Sequence, residues 1–86
     1  MDKKEIKEIL MNVLLRTDWV DMDKAQNEES SLRDDLGFDS LDQIEICMMV
    51  EHRLDISIPD EEADNVKTIG DVIALIDRLV NNEQSL

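Results

Sequence analysis

Three side chains with nucleophilic, thiol or imidazole chemistry fall within one short stretch: Ser40, Cys47 and His52. A serine with a histidine base would suggest a hydrolase. The two lie 52 − 40 = 12 positions apart. On one helix that is roughly 18 Å along the axis, too far for a hydrogen bond. A Ser–His couple is therefore excluded on geometry. Cys47 with His52 would supply too few ligands for zinc, and Cys47 falls on an inward-facing stripe, where it reads as core packing. His52 reads as a surface residue. Asp21 and Asp23 begin a calcium-loop pattern, but Ala25 takes the third ligand position and Gln26 replaces the turn glycine. Gly37 and Gly70 are the only glycines, so no phosphate-cradling loop exists. Taken alone, Ser40 reads as an ordinary residue at a helix N-terminus. These residues point to no catalysis, and the chain is expected not to be an enzyme.

The elements around these residues are helices. Ile6, Ile9, Leu10, Val13 and Leu14 recur at helical spacing, predicting a first helix over Lys3 to Leu15. From Thr17 to Asp39 the pattern breaks up into a long connection. Ser31 to Asp34 has capping-box character and predicts one helical turn there. Asp39 can cap a second helix that runs to about Leu54, with Asp42 adding favourable charge in its first turn. Pro59 then opens a short acid-rich helix at Asp60-Glu61-Glu62. Thr68 and Asp71 form a further capping pattern ahead of Ile69, Val72, Ile73, Ile76, Leu79 and Val80, which predict a last helix. The polar tail from about residue 81 is expected to fray. The expected fold is all-α: one domain over residues 1–86, a small four-helix bundle with a short third helix.

The second helix carries two apolar stripes. Ile46, Cys47, Val50 and Leu54 make one, which should face the core. Leu41, Ile44 and Met48 make another, bordered by Glu45, Glu51 and His52. Either the helix is buried on two sides, or the second stripe is a docking surface for partner proteins.

Charge narrows the partners. The chain has 22 acidic residues against 9 Lys and Arg, a net charge of −13. Between Glu28 and Asp64, 13 acids face only Arg33 and Arg53. Such a surface repels nucleic acid and anionic membranes and favours basic protein patches or cations. With a lone cysteine, no signal-peptide pattern at Met1 to Glu5 and no apolar run long enough to span a bilayer, the expectation is a cytoplasmic, monomeric protein that does not insert into membranes.

The informative stretch is Leu36-Gly37-Phe38-Asp39-Ser40-Leu41-Asp42. It resembles the attachment motif of acyl carrier proteins, whose core is Asp-Ser-Leu. The likeness extends over Leu32 to Asp42, through Ile44-Glu45 and Glu51, to Ile58-Pro59-Asp60-Glu61-Glu62-Ala63, and covers roughly Lys3 to Leu79. The resemblance implies that Ser40 is esterified with 4′-phosphopantetheine, donated by coenzyme A through a phosphopantetheinyl transferase. The arm's terminal thiol would then carry acyl groups as thioesters. It implies fatty-acid-synthesis enzymes with basic docking patches as partners, recognising Asp39, Leu41, Asp42, Ile44, Glu45, Met48, Glu51 and Asp60. It also implies that an acyl chain lies between the helices, with Ile46, Cys47, Val50, Leu54, Ile58 and Ala63 as lining residues, although core packing alone explains each of these as well.

The chain departs from the family pattern in places. His52 and Arg53 stand where relatives often carry acids, Phe38 replaces a small residue, and Trp19 to Glu29 matches poorly. The alternatives are a carrier for a polyketide, aminoacyl or other specialised pathway, or a non-carrier acidic module that binds proteins or cations.

Overall fold

The computed structural model describes residues 1–82. Its elements are α1 (Lys3–Leu15), α2 (Met22–Ala25), α3 (Ser40–Leu54), α4 (Asp60–Asn65) and α5 (Ile69–Asn82). Among the described residues there is no strand. One isolated antiparallel bridge joins Ser31 to Thr68.

Local sequence chemistry sets most boundaries. Asp2 caps α1 by accepting from the Glu5 amide at 2.9 Å. At the start of α5, Thr68 Oγ1 accepts from Asp71 N–H at 3.1 Å while Asp71 Oδ2 accepts from Thr68 N–H at 3.2 Å. That reciprocal pair satisfies two otherwise orphaned donors. Asp55 ends α3 in the left-handed region at φ 54, a conformation a short polar side chain tolerates. The last helix continues through Asn82, past the residue 81 at which a frayed tail was expected, and the remainder of that tail lies outside the described residues.

The long connection differs from expectation. It holds the four-residue α2, capped by Asp21, whose Oδ1 accepts from Asp23 and Lys24 N–H. This adds a fifth helical segment to the expected four. Ser31 to Asp34 opens the expected single helical turn, with Asp35 N–H donating to Ser31 O at 3.0 Å and Gly37 N–H to Arg33 O at 3.1 Å. Ser31 Oγ accepts from Asp34 N–H, but the returning carboxylate is that of Asp35. The turn is also tied to a distant segment: Leu32 N–H donates to Lys67 O at 2.8 Å and Ile69 N–H donates to Ser30 O at 3.1 Å. The backbone here is bonded both within its own turn and to the α4–α5 connector.

The core is continuous. α1 contributes Ile6, Leu10, Val13 and Leu14; α3 contributes Ile46, Cys47 and Val50; α5 contributes Ile69, Val72, Ile73, Leu75 and Ile76. α1 packs on both α3 and α5, and α4 packs on α3. The connection adds Val20, Leu32, Leu36 and Phe38 to the same core. It is thus held both by backbone bonds and by buried side chains, and it delivers the chain to α3 in a fixed direction.

Candidate functional site

Ser40 is the first residue of α3 and is exposed. What fixes its position is the pair of acids around it. Asp39, in extended conformation at φ −99, accepts from Asp42 N–H at 2.9 Å, and Asp42 Oδ2 accepts from Asp39 N–H at 3.1 Å. Gly37, at φ 76, makes the left-handed turn that leads in. Phe38, only 2% exposed, then plugs the core immediately before the cap. Phe38 N–H also donates to Leu32 O at 2.8 Å. On the outside, Trp19 meets Phe38 edge-to-face, with centroids 5.2 Å apart. The hydroxyl therefore stands at the positive end of a 15-residue helix on a rigid lead-in, placed to receive a negatively charged group.

The two readings of the second α3 stripe are separated by burial. Leu41 is 69% exposed and Met48 50% exposed, with Ile44 half-buried beside them. The helix is not buried on two sides. Glu45 is exposed on this face, and Asp60 is exposed at the start of α4. Glu51 stands apart: it is half-buried, and its Oε2 accepts from Ile58 N–H at 2.8 Å. Its carboxylate has a structural task inside the fold. His52 is exposed in the last turn of α3, at the opposite end of the helix from Ser40.

A void of about 10 Å³ lies among core residues beside α3. Of the expected lining residues, Ile46 and Cys47 border it. Val50, Leu54, Ile58 and Ala63 do not: Val50, Ile58 and Ala63 are packed in the core and Leu54 is half-buried beside it. The void is enclosed instead by Leu10, Leu14, Leu32, Phe38, Val66, Ile69 and Val72 together with Gln43. Apart from Gln43, which is on α3, those residues come from α1, the connection, the α4–α5 connector and α5, which a wheel drawn for α3 alone does not show.

Gln43 was missed by sequence reasoning. It is 6% exposed, and its Nε2 donates to Ala63 O at 3.3 Å and to Val66 O at 3.1 Å. The signal was present: Gln43 precedes Ile46, Cys47 and Val50 by three, four and seven positions, so it continues the core stripe as a polar residue.

Burial pushes the Cys47 thiol up to about 11, helped by the negative charges of Glu51 and Asp60. It is an inert core thiol at neutral pH.

A family profile described as the phosphopantetheine attachment site matches residues 6–76. The chain belongs to that family. As a phosphopantetheine carrier it is the site of covalent 4′-phosphopantetheine attachment, and the arm supplies the thiol that Cys47 does not. Domains of this family are in general carriers rather than catalysts, visited by a modifying transferase and by partner enzymes. The match begins at Ile6 in α1 and ends at Ile76 in α5, so it embraces the whole core that positions α3. No described helix of this carrier is long and apolar enough to cross a membrane.

Proposed function

We propose that Ser40 Oγ bears the 4′-phosphopantetheine arm and that the protein carries acyl intermediates of fatty acid biosynthesis to their enzymes. The observation that carries this reading is an exposed serine at the first position of α3, behind the Asp39–Asp42 capping box and beside an exposed stripe of Leu41 and Met48. When bound, the arm supplies a thiol that holds acyl groups as thioesters.

The chain's own residues do the rest. The first-turn N–H groups of α3 and the helix dipole stabilise the phosphodiester negative charge. Asp39 and Asp42 hold the helix start rigid, so the hydroxyl is presented in one orientation. Leu41, Ile44 and Met48 give partners an apolar foothold, while Glu45 and Asp60 steer basic patches toward Ser40. Steering of this kind speeds brief encounters without requiring tight binding. The net charge of −13 and the acid before Ser40 favour the fatty-acid type over a specialised pathway. A lone, inward-facing Cys47 suits a monomer in a reducing cytoplasm.

The test is intact-mass measurement after incubation with coenzyme A and a phosphopantetheinyl transferase. The wild type should gain the mass of one arm, and Ser40→Ala should gain none. No gain on the wild type, or the same gain on the variant, sinks the assignment of Ser40. The pathway is tested by offering the modified protein to a malonyl transferase of fatty acid synthesis and to an amino-acid-activating enzyme. Loading by the second alone rejects the fatty-acid assignment.

A further inference from the structure

The charge of α3 reverses along its length. Asp42 and Glu45 lie in its first six residues, His52 and Arg53 in its last three. His52 follows Met48 by four positions, as Met48 follows Ile44, so the exposed stripe runs on into the basic end. That end is completed by α1. Val13 and Arg16, the C-cap of α1, border a cleft of about 140 Å³ together with Met49, His52 and Arg53. Arg16, His52 and Arg53 are exposed, Met49 is half-buried and Val13 is buried. Among the described residues no carboxylate borders this cleft, in a chain with 22 acidic residues against 9 Lys and Arg. The grooves beside α5, beside Ser31 and along α1 do include acids: Asp71, Asp64 and Glu8 respectively. The ion pairs among the described residues are Lys7–Glu28 and Arg78–Glu62, so neither Arg16 nor Arg53 is neutralised by a carboxylate there. A base near a helix C-terminus complements the helix dipole, which accounts for each of these charges taken singly. It does not account for two helices bringing their bases to one acid-free cleft at the end of an exposed apolar stripe.

We propose that this cleft is a second docking point, which receives a carboxylate side chain of a partner enzyme while Asp42 and Glu45 meet that enzyme's basic patch. This rests on the reading of the exposed face of α3 as the docking surface. The partner it fits is bipolar: basic beside its entrance for the arm, and acidic roughly 18 Å away, the length of helix from Ser40 to His52. The size of the cleft favours a side chain as occupant, since 140 Å³ is below the roughly 300 Å³ at which small-molecule pockets begin. Arginine forks suit a carboxylate, which accepts two parallel hydrogen bonds from one guanidinium. Met49 offers an apolar contact for the stem of that side chain. The arrangement selects among partners. A patch that is basic along its whole length sets a cation against Arg16 and Arg53, where like charges repel. A net charge of −13 draws basic proteins in general, and the cleft accepts those whose charge reverses in step with α3.

The experiment measures kcat and KM for arm attachment by the phosphopantetheinyl transferase and for loading by the malonyl transferase, both taken from the cell that makes this chain. Arg53→Glu and Arg16→Glu are compared with the wild type at two ionic strengths. With at least one enzyme, each reversal should raise KM by about two- to fivefold and leave kcat unchanged, an effect that shrinks as salt is added. A partner patch that is basic throughout predicts the opposite sign, because each reversal deepens the negative field that attracts it. A lowered or unchanged KM with both enzymes overturns the proposal. If the malonyl transferase does not load the wild type, the attachment step decides alone. Arg16→Glu keeps the test independent of the last turn of α3, where an acid opposes the helix dipole. A KM rise confined to Arg53→Glu and indifferent to salt therefore also overturns the cleft. Glu45→Lys separates the two readings. If it too leaves both KM values unchanged, the docking face itself fails; a KM rise there with none at the arginines defeats the cleft alone. A wild type that is dimeric and becomes monomeric with Arg53→Glu assigns the cleft to a second copy of the chain and overturns the proposal.

Discussion

The Glu51 carboxylate accepts the Ile58 amide at 2.8 Å, tying the last turns of α3 to the connector that leads into α4. With the Gln43 amide bonded to Ala63 O and Val66 O, α3 holds α4 at both ends through side chains. The buried side of α3, away from exposed Leu41 and Met48, thus fixes the short helix beside it. Glu51→Ala should lower stability by about 1.5–3 kcal/mol, the range for a hydrogen bond to a charged group. Glu51→Gln keeps an acceptor and should lose less. Chemical denaturation of both variants checks this, and equal losses would mean that the carboxylate–amide bond contributes nothing.

Asp39 anchors the turn that presents Ser40. Asp39→Ala removes the acceptor for Asp42 N–H and should cost about 1 kcal/mol. It should also slow arm attachment, since the serine would sit on a fraying helix start. Ser40→Ala, at an exposed position, should leave the melting temperature nearly unchanged while abolishing attachment. Thermal melting and intact mass separate the two effects.

Glu45 is exposed on the face that carries Leu41 and Met48. Glu45→Lys should slow transfer to partner enzymes severalfold without unfolding the protein, because steering depends on the local field. The slowing should shrink as salt is added. Stopped-flow or transfer kinetics at two ionic strengths would show it, and unchanged rates at low salt would remove Glu45 from the contact.

Cys47 gives a pH dependence with a definite sign. Its folded value is raised to about 11 from the ordinary 9.0, so the neutral thiol favours the native state. That contribution is fully present below pH 9 and is lost as pH rises through the folded value near 11. Stability should therefore decline across that alkaline window, and Cys47→Ala should decline less there. At neutral pH a thiol reagent should label the unfolded chain and leave the native one unlabelled. Ready labelling of the native protein would contradict the packing seen around Cys47.

Thirteen acids crowd Glu28 to Asp64 against two arginines. Across all described residues only Lys7–Glu28 and Arg78–Glu62 form ion pairs. Self-repulsion in this stretch should ease when salt or a divalent cation is added, raising the melting temperature. Calorimetry in low and moderate salt measures the rise, and indifference to both additions would refute it.

By itself the sequence determined the local half of this protein. The starts of α3 and α5 were legible because each is set by a side chain bonding to a backbone amide three residues away, at Asp39 with Asp42 and at Thr68 with Asp71, while α1 was legible from its apolar spacing. The attachment motif was legible for the same reason, being contiguous around Ser40. What only the tertiary structure decided involves partners distant in the chain. The segment around Ser31 is tied to Lys67 and Thr68, the exposure of Leu41 and Met48 depends on where α1 and α4 pack, and Glu51 is drawn to Ile58. Above all, Gln43 occupies a core position that periodicity alone makes a misfit. Its amide is satisfied by carbonyls 20 and 23 residues away, and only folding brings them within reach.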